Sequence, residues 1–265
     1  MGLGENTMQT KRYYYLIKVQ YLGFRYHGFQ KQPDVKTVQL MIERTLNYVL
    51  GHKDHKILPS GRTDAMVSAN EAYIELFIFE ELDKDDFLIQ LNRNLPADIR
   101  ALNIEEVDQK FNIIQNPKSK EYIYLFSFGE KNHPFSAPYI CHIHGDLDLD
   151  QMIIAAGKFQ GRHNFQNYVY RPSESRQFER EMELSEIVPN TFYTASFFPD
   201  QSYAFRIKGP GFMRHQVRLM IGTLIELGKG NISMEEFDQS LLEKRAEPFT
   251  YIAPASGLIL HQIGF

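Results

Sequence analysis

The hydrophobic period of this chain switches between two and 3.6 in an order that few folds can accommodate. Tyr13 to Tyr21 is a run of β-forming aromatic and aliphatic residues that predicts a strand, and Val38, Met41, Ile42, Thr45, Leu46 and Val49 then fall on one helical stripe. An apolar stretch enters near Ile57, and Ala72 to Phe79 alternates like a strand. Lys84 to Leu95 reads as a helix with an acidic first turn, and Ile99 to Val107 is extended again. The sum is βαββαβ, the order of the split-βαβ or ferredoxin-like unit. Past Asn116-Pro117 the order recurs, with a strand at Glu121 to Phe128, a helix at Leu149 to Phe159, and strands at Arg180 to Ile187 and Ser202 to Lys208. A helix over Met213 to Leu227 and a strand over Gly257 to Phe265 complete it, and Ser233-Met-Glu-Glu236 forms a capping box that opens one extra helix.

The expected fold is therefore α+β, with an N-terminal domain over 11–108 and a C-terminal domain over 109–265 joined near 108–119, behind a frayed tail over 1–10. No residue-level repeat relates the two halves. A chain of 265 residues that is 43% hydrophobic can bury such a core. Its 29 Lys and Arg against 33 Asp and Glu leave a formal charge of -4, so no whole-molecule basic field attracts nucleic acid or anionic membrane, and a polyanion has to be held by a local patch. Charge is unevenly spread. Lys11 to Arg62 holds ten basic and three acidic residues, while Thr63 to Asp108 holds three basic and twelve acidic. Between 206 and 229, Arg206, Lys208, Arg214, Arg218 and Lys229 face only Glu226. Both stretches also read as solvated faces. Cys141 is the single cysteine, which excludes internal disulfides and thiolate zinc clusters and fits a reducing, cytoplasmic compartment. No apolar run approaches a membrane span, and the first ten residues lack the blocks of a signal peptide.

Among the motifs, Gly61-Arg62-Thr63-Asp64-Ala65 puts an arginine and a carboxylate two residues apart where the chain must turn. An Asx-turn or helix cap explains such an Asp. The functional reading is a carboxylate kept ionised by a cation, acting as nucleophile or base. Tyr122 and Tyr124 share one face of a strand beside Lys118 and Lys120, either as core residues or as a platform on which a base stacks. Arg214 and Arg218 stand four apart on one face of the late helix, solvated or placed to pair with a carboxylate across a cleft. Cys141, His142, His144 and Asp146 tempt a metal reading because 142, 144 and 146 would share a strand face, but a polar strand edge explains them and no metal is expected. Gly209-Pro-Gly211 fails the dinucleotide fingerprint and no phosphate-cradling loop occurs, so no cofactor is expected.

Together and in order, these motifs resemble the tRNA pseudouridine synthase A family over nearly the whole chain. Tyr21-Leu-Gly-Phe-Arg-Tyr-His-Gly-Phe-Gln-Lys-Gln-Pro33 resembles the opening segment of the family, Thr37-Val-Gln39 the start of its first helix, and Ser60-Gly-Arg-Thr-Asp-Ala65 its catalytic loop. Lys120-Glu-Tyr-Ile-Tyr124 resembles its tyrosine strand, Arg214-His-Gln-Val-Arg-Leu-Met-Ile-Gly222 its late arginine helix, and Ala253-Pro-Ala-Ser-Gly-Leu258 its closing strand. The resemblance implies two ferredoxin-like halves forming a long antiparallel sheet with helices on one face, a central basic cleft, and a homodimer that binds tRNA. It implies isomerisation of uridine to pseudouridine, in the anticodon stem-loop, without metal or cofactor. In that reading Asp64 is the essential carboxylate, Arg62 helps extrude the uridine, Tyr122 lies against the flipped base and Arg218 pairs with Asp64. Leu260, Lys120 and Arg214 are the implied substrate-binding residues, Leu260 lining the uracil pocket. Bacterial members commonly carry Gly and His where this chain has Met66 and Ser68, Trp where Phe29 stands, and often Asp in place of Asn164, which points to altered substrate contacts.

The chemistry suits these residue types. The reaction breaks the N1–C1′ bond and joins C5 to C1′ with no net redox or hydrolysis, so a carboxylate, a planar side chain and a dry pocket are what it needs. Asp64 attacking C1′, adding to C6 or removing a sugar proton are three routes that the residues leave open. A catalytically silent RNA-binding protein on the same scaffold and an unrelated carboxylate hydrolase are the competing functions. The hydrolase would need a second catalytic carboxylate, which no motif supplies.

Overall fold

The computed structural model describes residues 11–172, 177–242, 245 and 249–265, and the expected tail over 1–10 lies outside them. The N-terminal elements are β1 (Tyr13–Tyr21), α1 (Val38–Leu50), β2 (Lys56–Pro59), β3 (Ser68–Ile78), α2 (Lys84–Asn94) and β4 (Ile99–Glu106). There follow β5 (Ser119–Phe128), β6 (Cys141–Ile143), α3 (Leu149–Lys158), β7 (Gly161–Asn164), β8 (Glu179–Met182), β9 (Leu184–Pro189), β10 (Tyr203–Gly209), α4 (Gln216–Gly228), α5 (Met234–Leu242) and β11 (Leu258–Gly264). Local chemistry sets several of these boundaries. Thr37 caps α1 by accepting the Leu40 N–H, and Gly51 ends it in the left-handed region. Asp83 caps α2 by accepting from Asp85 and Asp86, whose own carboxylates favour the positive end of the helix dipole. At α5, Ser233 Oγ accepts the Glu236 N–H at 3.1 Å and Glu236 Oε2 accepts the Ser233 N–H at 2.8 Å, the reciprocal box expected there.

Nine strands form one sheet in the order β4-β1-β3-β11-β5-β10-β9, with β2 pairing with β3 and β6 with β5; β7 and β8 make a separate hairpin-like pair. The sheet is antiparallel except at β11–β3 and β5–β6. The eleven-residue β3 serves two partners besides β1: Ile74 to Phe77 pair with β2, while Ser68 and Ala69 pair with Ile259 and Leu260 of β11. That short parallel join makes the sheet continuous from the first half to the second. Period-two alternation separates its faces. On β5, Tyr124 and Phe126 enter a large cluster with α3, α4 and α5, whereas Ile123 and Leu125 join a smaller cluster with Ile140 and Ile259. A third cluster joins β1 and β3 to α1 and α2, and Tyr122 packs against both helical clusters.

Three expectations need correction. The late helix begins at Gln216, not Met213, because His215 sits in the left-handed region (φ 57°) and cannot continue a helix backward. Arg214 is thus a turn residue and does not share a helical face with Arg218. The strand expected over 180–187 is two strands broken at Glu183, where β8 leaves to pair with β7 and β9 goes to β10. β6 ends at Ile143, so residues 142, 144 and 146 share no strand face.

Candidate active site

Residues 60–67 leave β2 and enter β3 through a loop clamped by the segment after β1. The Phe29 N–H donates to Thr63 O, the Met66 N–H to Tyr26 O and the Val67 N–H to Asp64 O. Tyr21 and Thr63 share a hydroxyl hydrogen bond of 2.9 Å at the buried base of the loop. The clamp requires close backbone approach, because a β-carbon at position 23 would overlap the Val67 carbonyl. Met66 pays a conformational cost in the same turn, with φ 66°.

This clamp presents Asp64 to a cavity of about 540 Å³ that is also lined by Arg62, Tyr122, Phe212, Arg214, His215, Arg218 and Leu258. Asp64 Oδ2 lies 3.4 Å from Arg218 Nη1 and 2.9 Å from His215 Nδ1, and its side chain is 35% exposed, open to the cavity on one side. Arg218 does not grip the carboxylate at two points. Its Nε donates to Ala253 O at 2.8 Å, so the guanidinium bridges the loop of Asp64 and the segment that crosses α4. That crossing is why α4 carries glycine at 222, since a β-carbon there would overlap the Tyr251 carbonyl oxygen.

Tyr122 stands in register with Leu260 on β11 and Ile207 on β10, and its ring meets Phe212 edge-on at 5.2 Å. Burial, and secondarily the Asp64 charge, push its phenol well above the usual range, so it stays protonated at neutral pH. Tyr124, by contrast, is fully buried and donates to Pro254 O at 2.9 Å, a core tyrosine. Burial of His215 lowers its imidazole below the ordinary value, with Asp64 opposing the shift and Arg218 and Arg214 reinforcing it.

The sequence-derived residues divide by location. Asp64, Arg62, Tyr122, Arg214 and Arg218 share the cavity. Lys120 does not reach it: burial lowers its ammonium, which donates to Ser60 O at 2.8 Å beneath Gly61 and so props the loop from below. Leu260 is buried at 3% beside Tyr122, and the cavity wall on that strand is Leu258, two residues earlier. Ser68 Oγ accepts the Gly23 N–H at 2.9 Å, and Asn164 Oδ1 accepts the Gln166 N–H at 3.0 Å; neither lines the cavity. His215, Phe212 and Leu258 were given no role by sequence reasoning. Only the spacing of His215, three residues before Arg218 in the arginine motif, offered a signal. The late basic stretch is largely spent on neighbours, with Arg206 paired to Glu121 and Glu186, and Lys208 to Glu183. Among the described residues no three His, Cys, Asp or Glu side chains cluster as metal ligands, and no helix is long and apolar enough to cross a membrane.

A family model described as tRNA pseudouridine synthase matches residues 155–265. Among curated proteins, tRNA pseudouridine synthase A of Dictyoglomus thermophilum is 30% identical over 252 residues, covering 94% of this chain and 98% of the relative. The protein of the same name from Bacillus pumilus is 33% identical over 249 residues, covering 92% and 96%. That of Staphylococcus aureus is 31% identical over 249 residues, covering 94% and 90%.

Proposed function

Because the chain belongs to the tRNA pseudouridine synthase family and isomerises uridine to pseudouridine in tRNA, we propose that Asp64 is the carboxylate that acts on the target nucleoside in the cavity bounded by Tyr122 and Arg218. The observation that carries this reading is the Asp64–Arg218 pair. Residues 154 apart in sequence meet at the floor of an open cavity, with one carboxylate oxygen tied down and the side chain still partly exposed. A loop aspartate serving only as a turn cap would have no need of a guanidinium delivered from a distant helix.

Each residue then has a physical part. Arg218 neutralises and orients Asp64 while its own Nε is anchored on Ala253 O. Tyr122 and Phe212 form an aromatic wall for a base turned out of its stack, and Leu258 closes the pocket on the strand side. Arg62, exposed and unconfined by secondary structure at the cavity mouth, fills the space left by the uridine. Arg214 lines the same cavity and lies over the Tyr170 ring, ready to meet a phosphate. Lys120 supports the loop and Leu260 supports Tyr122, so both act on substrate through those neighbours.

The target is a uridine of the anticodon stem-loop, and tRNA lies in a basic cleft across the sheet between two ferredoxin-like halves, 11–108 and 109–265. The strand orders support the halves: β4-β1-β3-β2 and β11-β5-β10-β9 are the same 4-1-3-2 arrangement, the second closed by the last strand of the chain. The working assembly is a cytoplasmic homodimer, to be checked by sedimentation. Chemistry is independent of divalent metal; loss of turnover in chelator, with tRNA still folded, contradicts that.

The test maps pseudouridine in tRNA before and after exposure to pure protein, with Asp64→Asn in parallel. The variant removes charge and keeps shape. It folds and binds tRNA as the parent does, or slightly more tightly, and its turnover falls below detection. Residual activity within about tenfold, only about 1.4 kcal/mol in barrier, means another residue does the chemistry.

A further inference from the structure

We propose that His215 is a positioning residue for Asp64, holding a proton on Nδ1 that fixes Oδ2 and leaves Oδ1 as the oxygen presented to the nucleoside. This rests on the assignment of Asp64 to the reaction.

The geometry of three atoms carries it. His215 Nδ1 is 2.9 Å from Asp64 Oδ2 and 3.2 Å from Arg218 Nη1, and Nη1 is 3.4 Å from the same Oδ2. A guanidinium nitrogen only donates and a carboxylate oxygen only accepts, so Nδ1 serves one neighbour at a time. A bare Nδ1 would press its lone pair against the carboxylate at the shorter of the two distances. A protonated Nδ1 donates to Asp64, and the longer contact with Arg218 is tolerated because that guanidinium is already held by the Ala253 carbonyl.

Backbone strain points the same way. His215 is a non-glycine residue at φ 57°, directly before α4, where its carbonyl accepts the Leu219 N–H but its side chain makes no capping hydrogen bond. The left-handed turn aims the ring at Asp64 rather than at the free N–H groups of the helix, and packs it edge-on against Tyr170 at 5.1 Å. The charged and titratable groups facing the imidazole are Asp64 from the catalytic loop, Arg218 from α4, Arg214 from the turn before it and Tyr170 from the loop after β7, with Arg171 stacked over Tyr170. Two arginines and burial keep the ring neutral near pH 7. On acidification a second proton, on Nε2, turns it into a cation that holds Asp64 more firmly and makes it a poorer nucleophile or base.

Two substitutions separate positioning from packing. Asparagine tolerates the left-handed region and puts an amide N–H where Nδ1 stands; glycine tolerates it and supplies no donor. With saturating tRNA, His215→Asn retains kcat within about threefold, whereas His215→Gly loses on the order of a hundredfold in kcat with KM changed by less than about threefold. In the wild type kcat falls on acidification below the ordinary imidazole value of about 6.5, and in His215→Asn that limb is absent, since the amide does not titrate. A folded His215→Gly protein with parental kcat, an asparagine variant as slow as glycine, or the same acidic limb in wild type and His215→Asn would each overturn the proposal. Asp64→Asn assayed alongside keeps the two readings apart: if it is inactive while His215→Gly is not, only the role of His215 fails, and if it is active the assignment of Asp64 itself fails.

Discussion

Met66 bears a cost that its neighbours do not. Its φ of 66° is a conformation that side chains with a β-carbon avoid, and the turn is imposed by the Met66 N–H bond to Tyr26 O. Met66→Gly should raise stability by roughly 1 kcal/mol, strain relief exceeding the entropy cost of glycine, as read by denaturant midpoint. An unchanged or lower midpoint means that the exposed methionine side chain contributes packing in the loop. Tyr122 calls for a different pair of variants. Phenylalanine keeps the ring against Phe212 and leucine does not, so Tyr122→Leu should lose more tRNA turnover than Tyr122→Phe. The Phe variant, folded with a parental melting temperature, should still turn over at least about tenfold more slowly if the hydroxyl takes part in proton transfer at C5. If melting temperature tracks activity in both, Tyr122 acts through packing alone.

At the scale of elements, α4 matters because it joins the two walls of the site. Arg218 projects from its first turn, and Gly222 on the next lets residues 251–253 cross close enough for Ala253 to accept from the Arg218 guanidinium. Arg218→Lys keeps a charge near Asp64 but cannot reach both partners with one planar group, so it should retain more kcat than Arg218→Ala and less than the wild type. An alanine variant equal to lysine would show that charge is irrelevant there. At α5 the capping box is separate from the site. Ser233→Ala should cost about 1 kcal/mol of stability and leave kcat unaltered, measured by unfolding and by pseudouridine formation.

For the whole molecule, a net charge of -4 would predict weak tRNA affinity if charge acted as an average. The block over 11–62 and Arg214 at the cavity supply local positive charge instead, so affinity should fall by at least about tenfold between 50 and 200 mM salt. A flat response would sink the patch argument. Stability should also fall on acidification in two stages. His55, His142 and His215 are each lowered by burial, so the unfolded chain binds protons that the folded chain refuses, and stability declines as pH drops below about 6.5. Asp98, Asp148 and Glu236 are lowered by their hydrogen bonds, and the stability they supply disappears as pH falls further through their folded values. Glu75, raised by burial, opposes that second stage. A melting temperature unchanged from pH 7.5 to 5.5 would exclude the histidine contribution.

Elements with a strong internal signal were determined by the sequence alone. The stripe of α1, the acid-capped start of α2, the box of α5, the β-forming run of β1 and the alternation within β3 are local patterns whose neighbours in sequence are also neighbours in space. The order of motifs pointed to the family, and the loop of Asp64, the strand of Tyr122 and the helix of Arg218 that it singled out do meet at one cavity. What the sequence left open was decided by contacts between residues far apart. Arg214 left the helix because His215 takes a left-handed turn toward Asp64. Tyr122 became a cavity wall and Tyr124 a core residue, although they share a strand face, because Tyr124 runs under Pro254 while Tyr122 lies opposite Asp64 and Phe212. Lys120 was drawn to a backbone carbonyl, Leu258 took the cavity position two residues before Leu260, and Arg206 and Lys208 spent their charge on Glu121, Glu186 and Glu183. Period and capping are written within one turn or two residues of chain, whereas a side chain's partner is chosen by whichever strand or helix the sheet order brings beside it, and that order exists only once β11 has closed against β3 and β5.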